Sequence, residues 1–119
     1  MSHPSIDTLD PPAVKDLLDR GKLLLVDVRE PNELAVERMA GAVLSPLSTF
    51  GATTLPHDGT RRVVFHCGSG KRSLTAAERR LAAGSDRTAH MGGSLAAWKC
   101  AGLPFISSPT TADAATERG

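Results

Sequence analysis

Two short apolar runs, at residues 23–28 and 63–66, constrain the fold more than any other feature of the sequence. Both are nearly continuous, without the alternation of apolar and polar residues that marks a strand with one face in water. Continuous runs of this length are typical of parallel sheets that helices cover on both faces. A weaker run at residues 88–91 and a segment at residues 6–9 predict two further strands, the latter at an edge of the sheet.

Helical patterns alternate with these runs. Asp10, followed by two prolines, predicts the N-cap of a helix that ends near Gly21. Further helices are predicted from Ser73 to residues 83–84, across residues 94–100, and as a short turn over residues 31–37. The alternation predicts an α/β fold with a mostly parallel sheet.

The length of 119 residues predicts one domain, over residues 5–106. Residues 49–60 are predicted to form a loop because glycines and proline interrupt them. Residues 107–119, rich in Ser, Thr and Pro, are predicted to form a disordered C-terminal tail.

The charge and the cysteines exclude several function classes. With 14 Lys and Arg against 13 Asp and Glu, the chain has no overall basic field for nucleic acid, and no apolar run approaches the ~20 residues of a membrane span. Two cysteines make neither a disulfide scaffold nor a four-ligand zinc site, so no metal and no cofactor are predicted. The first residues lack the pattern of a signal peptide, which predicts a cytoplasmic protein.

The segment most informative about function lies between a predicted strand and a predicted helix. In order, its residues are Cys67, Gly68, Ser69, Gly70, Lys71, Arg72 and Ser73. In a parallel sheet, ligands bind where strands end. The glycines let successive N–H groups turn toward an anion, and the helix N-terminus adds its positive dipole. Such surroundings lower a thiol pKa below its usual ~8.5, so we predict a Cys67 thiolate and an anionic substrate held by residues 68–73.

Other phosphate-binding loops do not fit this segment. A P-loop requires a glycine where Phe65 stands and a hydroxyl residue where Arg72 stands. The dinucleotide pattern begins at Gly68 but requires a glycine at Ser73.

Three blocks of the sequence resemble the single-domain form of the rhodanese (sulfurtransferase) family. Residues 25–33 with 39–42 resemble its D-V-R-x-x-x-E and G-A block, residues 67–73 its C-x-x-G-x-R loop, and residues 91–104 its G-G, W and G-x-P ending. One departure is Glu37–Arg38, where the family usually has Gly-His. The resemblance implies a rhodanese-like three-layer fold, with an open, twisted, mostly parallel sheet of about five strands flanked by helices.

The resemblance also implies a reaction. Cys67 takes a sulfane sulfur from a small anionic donor such as thiosulfate, forms a persulfide, and passes the sulfur to a thiol or to cyanide. Lys71 and Arg72 are expected to bind the donor. Asp27 and Arg29 are expected to form a structural ion pair beside the loop, and Glu33 to be structural as well. A further expectation is that Gly92 and Gly93 form a tight turn near the site.

Several alternatives stay open at this point. One alternative is a persulfide carrier that hands sulfur to a protein partner, and another is a non-catalytic regulatory module. A rhodanese-like phosphatase or arsenate reductase uses the loop C-x5-R, whose arginine falls at position 73, which is Ser73 here. Cys100 is expected to take no part in the reaction, rather than to act as a resolving thiol that forms a disulfide with Cys67. His66 and His90 are expected to be core histidines.

Overall fold

The structure is a computed structural model that describes residues 5–50, 61–85 and 87–107. The strands, in chain order, are β1 (Ser5–Leu9), β2 (Leu23–Asp27), β3 (Glu37–Arg38), β4 (Val43–Leu44), β5 (Arg62–His66), β6 (Arg87–Met91) and β7 (Ile106–Ser107). The helices are α1 (Pro11–Asp19), α2 (Pro31–Leu34), α3 (Lys71–Ala82) and α4 (Ser94–Cys100), with a 3-10 turn at Leu47–Thr49.

Five of the strands form one parallel sheet, in the order β1-β6-β5-β2-β4. The two central strands β2 and β5 pair over their whole lengths, so that Asp27 lies beside His66 at their carboxyl ends. Every residue of β2 is buried, which explains its uninterrupted apolar run. The predicted α/β fold with a parallel sheet of about five strands is therefore confirmed.

The helices cover both faces of this sheet. On one face, Val14 of α1 and Trp98 of α4 pack against Leu25 and Val64. On the other, Ala76 and Ala77 of α3 pack in a cluster with Phe65, Val26 and Cys67. These three layers place the cysteine at the end of a central strand, under the start of α3.

The strands that the sequence did not predict are all two residues long. The edge strand β4 pairs with the end of β2, and β3 pairs with β7 in a separate antiparallel ribbon. The ribbon joins Glu37–Arg38 to residues 106–107 near the end of the described chain. The predicted helical turn over residues 31–37 is therefore too long: α2 ends at Leu34, and Glu37 lies in β3. Two-residue strands are too short to show any periodicity.

The helix boundaries agree with their capping residues. The Asp10 carboxylate accepts a hydrogen bond from the Ala13 N–H at 3.0 Å, which caps α1, and Gly21 follows that helix with φ +67°. α3 begins at Lys71, two residues before the predicted start, because Gly70 in the left-handed conformation (φ +104°) ends the loop there.

Two predictions fall largely outside the described residues. Of the predicted loop at 49–60, only Thr49, the last residue of the 3-10 turn, and Phe50 are described. Residues 108–119 of the predicted tail lie outside as well, so the division of the chain into a domain and a tail stays a prediction. Among the described segments, no helix is long and apolar enough to cross a bilayer.

Candidate active site

The sulfur of Cys67 lies close to two backbone amides of the loop that follows β5. Cys67 directly follows β5, and its Sγ accepts hydrogen bonds from the N–H groups of Gly70 at 3.0 Å and Ser73 at 3.4 Å. The side chain is fully buried and packs against the apolar cluster under α3. The thiol is thus held at the floor of the loop by N–H groups suited to stabilising an anion.

This environment changes the acidity of the thiol in two opposing directions. Burial alone would raise the pKa of Cys67, because it removes water from the thiolate. The N–H groups of Ser73 and Gly70, together with the hydroxyls of Ser73 and Ser94, outweigh burial and hold the pKa below its ordinary value. Hydrogen bonds, more than the two neighbouring cations, therefore favour the thiolate.

The loop is fixed against the N-terminus of α4. The carbonyl oxygens of Cys67 and Gly68 accept hydrogen bonds from the N–H groups of Leu95 (3.0 Å) and Ala96 (2.9 Å). These bonds satisfy N–H groups at the helix start that would otherwise lack partners. The loop is therefore rigid on the side away from solvent.

Two glycines allow this close contact. A Cβ on Gly70 would lie 3.0 Å from the backbone nitrogen of Gly93, and both residues have positive φ, of +104° and +68°. Gly92 and Gly93 form the turn between β6 and α4, so the expected turn lies directly against the loop.

Arg72 lies across the loop and is tied to an acid from another element. Its Nη1 and Nη2 donate to Oε1 and Oε2 of Glu33 on α2, at 2.6 and 2.9 Å. A Cβ on Gly68 would lie 3.4 Å from Arg72 Nη2, which places the guanidinium above the start of the loop. The Arg72 guanidinium holds the pKa of Glu33 below its usual range. Lys71 and Ser69 are exposed at the rim.

Asp27 and Arg29 form a buried pair at the end of β2. Arg29 Nη2 donates to Asp27 Oδ2 at 2.8 Å and to the Glu37 carbonyl at 2.9 Å, so it connects the sheet to β3. Burial would raise the pKa of Asp27, but the neighbouring His66 ring and the Arg29 guanidinium hold it well below its usual range. This geometry fits the expected structural ion pair.

His66 is also fully buried, as expected for a core histidine. Its Nε2 lies 3.3 Å from Asp27 Oδ2. Within the described part of the chain, neither ring nitrogen makes a well-directed hydrogen bond.

A layer of hydroxyls lies behind the sulfur, and the sequence analysis did not assign it a function. Ser94 Oγ accepts from the Cys67 N–H at 3.0 Å, and Ser73 Oγ lies 3.3 Å from Ser94 Oγ. His90 Nδ1 lies 2.9 Å from Ser73 Oγ, and its Nε2 lies 3.3 Å from Thr8 Oγ1. Ser94 has φ +47°, a strained conformation for a residue with a side chain. The sequence signal that could have indicated Ser94 is its position directly after Gly92 and Gly93.

Cys100 lies far from this arrangement. It is exposed and ends α4, whose opposite end contacts the loop. At ~1.5 Å per helical residue, it is about 9 Å along the helix from Ser94.

The fold and this site define a class of protein: an α/β domain with a buried cysteine at a strand end, whose sulfur accepts hydrogen bonds from backbone amides. The model for the Rhodanese-like domain family matches residues 10–101. The chain therefore belongs to the rhodanese-like domain family, as the three sequence blocks predicted.

Curated relatives agree with this assignment. An uncharacterised protein of Synechocystis is 36% identical over 83% of this chain, and a sulfurtransferase of Allochromatium vinosum is 34% identical over 76% of this chain and 85% of its own length. A probable adenylyltransferase/sulfurtransferase of Mycobacterium tuberculosis is 38% identical over 76% of this chain. The chain spans 55% of the Synechocystis protein and 24% of the mycobacterial one.

Solved structures share the fold. A rhodanese-related protein from Thermoplasma volcanium superimposes with a TM-score of 0.70 at 24% identity, covering 84% of this chain and 97% of that one. A possible tyrosine phosphatase from Rhodopseudomonas palustris gives 0.71 at 24% identity, covering 85% of each chain. At these identities the likeness supports the fold and not an activity.

Proposed function

We propose that this protein is a sulfurtransferase that carries the transferred sulfur as a persulfide on Cys67. The observation that carries the proposal is the position of Sγ among the N–H groups of Gly70 and Ser73, with a pKa below that of an ordinary thiol. The thiolate is the nucleophilic form of cysteine, and the same amides can stabilise the negative charge of a second sulfur.

The reaction balances without a redox partner. The Cys67 thiolate attacks the sulfane sulfur of thiosulfate, a new S–S bond forms, and the S–S bond within thiosulfate breaks as sulfite leaves with its electron pair. An acceptor thiolate or cyanide then attacks the outer sulfur and releases the Cys67 thiolate. This is covalent catalysis in two displacements, and neither step requires a general acid or base at the loop.

The donor is expected to approach over Arg72 and Lys71. Because Cys67 is fully buried, a donor reaches its sulfur only when groups over the loop move. The Arg72 guanidinium lies near Gly68 at the start of the loop, and we expect an incoming anion to compete with Glu33 for it. We propose that residues 68–73 hold the anionic donor over the Cys67 sulfur.

A protein thiol is a second candidate for the acceptor. The mycobacterial relative is named for an adenylyltransferase and a sulfurtransferase together, so sulfur transfer there accompanies another activity on one chain. This favours the persulfide-carrier alternative, with the same chemistry at Cys67 and a different acceptor.

The loop length argues against phosphatase or arsenate chemistry. The arginine of the shorter loop is present as Arg72, and the position of the longer loop's arginine is Ser73, whose backbone N–H faces the sulfur. The fold shared with a possible tyrosine phosphatase does not supply that arginine.

The proposal also places the protein in the cytoplasm. Both cysteines are free thiols, Cys67 buried and Cys100 exposed, and a reducing compartment keeps such thiols from pairing.

Intact-mass measurement after thiosulfate treatment tests the proposal. We expect one added sulfur atom that cyanide removes, no addition in Cys67→Ser, and an unchanged addition in Cys100→Ser. Addition that persists in Cys67→Ser, or hydrolysis of an aryl phosphate by a protein that takes up no sulfur, would contradict it. Comparing turnover with cyanide and with a protein thiol distinguishes the two acceptors.

A further inference from the structure

A cavity lies at the amino ends of β5 and β6, at the opposite end of the strands from Cys67. Its volume is about 450 Å³, which is in the range of small-molecule sites. Arg62, the first residue of β5, lines the cavity, whereas Cys67 follows the last residue of that strand. At ~3.3 Å per strand residue, the two positions are about 16 Å apart along the chain. The cavity is therefore separate from the candidate active site.

Four arginines line this arginine cavity, and they come from three elements of the fold. Arg61 and Arg62 stand at the start of β5, Arg87 is the first residue of β6, and Arg80 lies near the end of α3. The other described residues of the lining, none of which carries a charge, are Val63, Ser85 and Thr88.

The end of α3 holds Arg80 over the sheet. Arg80 follows the buried residues Ala76 and Ala77 by four and three positions, so it lies on the sheet-facing side of the helix. Gly84 then adopts a left-handed conformation (φ +113°), and the N–H of Ser85 donates to the Arg80 carbonyl at 3.2 Å, which ends the helix. Burial removes water from the Arg80 guanidinium and lowers its pKa, and a bound anion would offset this loss of hydration.

One carboxylate is shared between two of the arginines. Arg62 Nη2 and Arg87 Nη2 both donate to Oδ2 of Asp7 on β1. The Arg87 guanidinium holds the pKa of Asp7 below its usual range, so this carboxylate is ionised near pH 7. Two positive charges therefore converge on one negative charge, and these three side chains together carry a net positive charge beside the cavity.

The lining favours an anion that carries several phosphate groups. A guanidinium binds phosphate oxygens through two parallel hydrogen bonds. A single tetrahedral anion is much smaller than a cavity of about 450 Å³, whereas a chain of linked phosphates can contact guanidiniums from both strands and from α3. The described lining contains no aromatic ring on which a nucleotide base could stack, so the phosphates themselves are the groups that it can recognise.

We propose that the arginine cavity is a second anion site, which binds a small molecule through a chain of two or three linked phosphate groups. The guanidiniums hold the phosphate oxygens, and the Ser85 hydroxyl can donate to a further oxygen. The Thr88 hydroxyl donates to the Ala77 carbonyl at 3.2 Å and so fixes β6 against α3. The proposal does not depend on sulfur transfer, because it uses none of residues 67–73.

Calorimetric titration of the whole protein with tripolyphosphate tests the proposal. In a buffer of low ionic strength we expect saturable binding with a Kd of about 1 mM or tighter. Orthophosphate, which makes fewer charged hydrogen bonds, should bind about tenfold more weakly or not at all. ATP in place of tripolyphosphate distinguishes a nucleotide from an inorganic chain as the source of the phosphates, and tight binding of either one supports the proposal.

Three results of these titrations would overturn the proposal. The first is the absence of saturable binding of both tripolyphosphate and ATP. The second is equal affinity for orthophosphate and tripolyphosphate. The third is tighter binding of citrate or of a single-stranded oligonucleotide, which would indicate a site for carboxylates or for nucleic acid.

Single substitutions locate the binding. Arg61→Gln and Arg80→Gln each remove one guanidinium from the lining, and we expect each to weaken the Kd for tripolyphosphate about tenfold. Arg79→Gln is the matched control, because Arg79 is the preceding residue of α3, lies outside the lining and donates to the Leu47 carbonyl at 3.3 Å. This control should leave the Kd unchanged. Equal weakening in Arg79→Gln and Arg80→Gln would show attraction by diffuse surface charge and overturn the proposal.

Two further variants separate the site from folding defects and from the active-site loop. Asp7→Asn removes the carboxylate that competes for Arg62 and Arg87, and should tighten the Kd by about two- to fivefold, a gain that a poorly folded variant cannot give. Arg72→Ala should leave the Kd for tripolyphosphate unchanged. Unchanged or weaker binding in Asp7→Asn, or lost binding in Arg72→Ala, overturns the proposal. A protein that binds tripolyphosphate but takes up no sulfur contradicts only the proposed function.

Discussion

Replacing Glu33 with glutamine tests how the donor gains access to Cys67. Glutamine has the same shape and keeps the capping contact of the Glu33 side chain with the Glu30 N–H, which lies at 3.2 Å. It removes the negative charge that holds Arg72 through two hydrogen bonds. The substitution therefore releases the guanidinium while preserving α2.

The size of the effect follows from the exposure of the pair. The side chains of Arg72 and Glu33 are 38% and 33% exposed, so solvent screens much of their attraction. Pairs of this kind contribute roughly 0.5–1 kcal/mol. A donor that no longer has to displace Glu33 regains this free energy, which corresponds to about a two- to fivefold lower KM for thiosulfate. Removing a negative charge near an anionic donor acts in the same direction.

Steady-state transfer from thiosulfate to cyanide, with KM and kcat fitted separately, is the assay. Glu37→Gln is the matched control, because Glu37 is also a half-buried carboxylate but pairs with Lys99 at 2.9 Å. It should leave KM unchanged, and Arg72→Ala should raise KM. A KM that rises or stays the same in Glu33→Gln would refute the view that the ion pair competes with the donor.

Two further predictions concern stability and the loop. Asp27→Asn leaves Arg29 buried without its counterion and should reduce the free energy of unfolding at pH 7 by about 3–5 kcal/mol. Because the folded pKa of Asp27 is depressed, the carboxylate's contribution to stability is present above the unfolded pKa of ~3.9 and declines below it. Urea titrations should therefore show the difference in unfolding free energy between wild type and Asp27→Asn shrinking below about pH 4. A difference that stays constant with pH would contradict this account. Gly70→Ala places a Cβ 3.0 Å from the Gly93 nitrogen at a positive φ, and should lower both stability and sulfur transfer. Gly84→Ala, with a similar φ (+113°) and nothing within 4 Å, should lose only the ~1–2 kcal/mol of backbone strain and keep full transfer; equal losses of transfer in both variants would show that the contact with Gly93 is unimportant.

Much of the fold could be predicted because its signals are local. The central strands β2 and β5 are buried on both faces, which leaves an apolar run in the sequence, and Asp10 marks the start of α1 by its own hydrogen bond. The edge strand β4 has only two residues, and β3 pairs with residues more than sixty positions away. Neither leaves a pattern that a single sequence can show.

The sequence predicted where the cysteine loop lies in the fold, but not which groups surround it. The spacing of glycines and cations around Cys67 indicated an anion-binding loop, because that information lies within seven consecutive residues. The partners of the loop come from distant elements: Glu33 on α2, His90 on β6 and Ser94 at the start of α4. Their contact with the loop depends on the strand order of the sheet, which the sequence does not state.

The contrasting exposure of the two cysteines has a practical consequence for handling the protein. Hydrogen bonds lower the pKa of the Cys67 thiol, but its side chain is fully covered, whereas Cys100 is open to solvent. Bulky maleimides or dye-labelled disulfides will therefore report on Cys100, and air oxidation during storage will join two molecules through it. Thiol counts and gel bands from such preparations therefore report the state of Cys100, at the end of α4. A Cys100→Ser protein is the appropriate material for any study of the Cys67 sulfur.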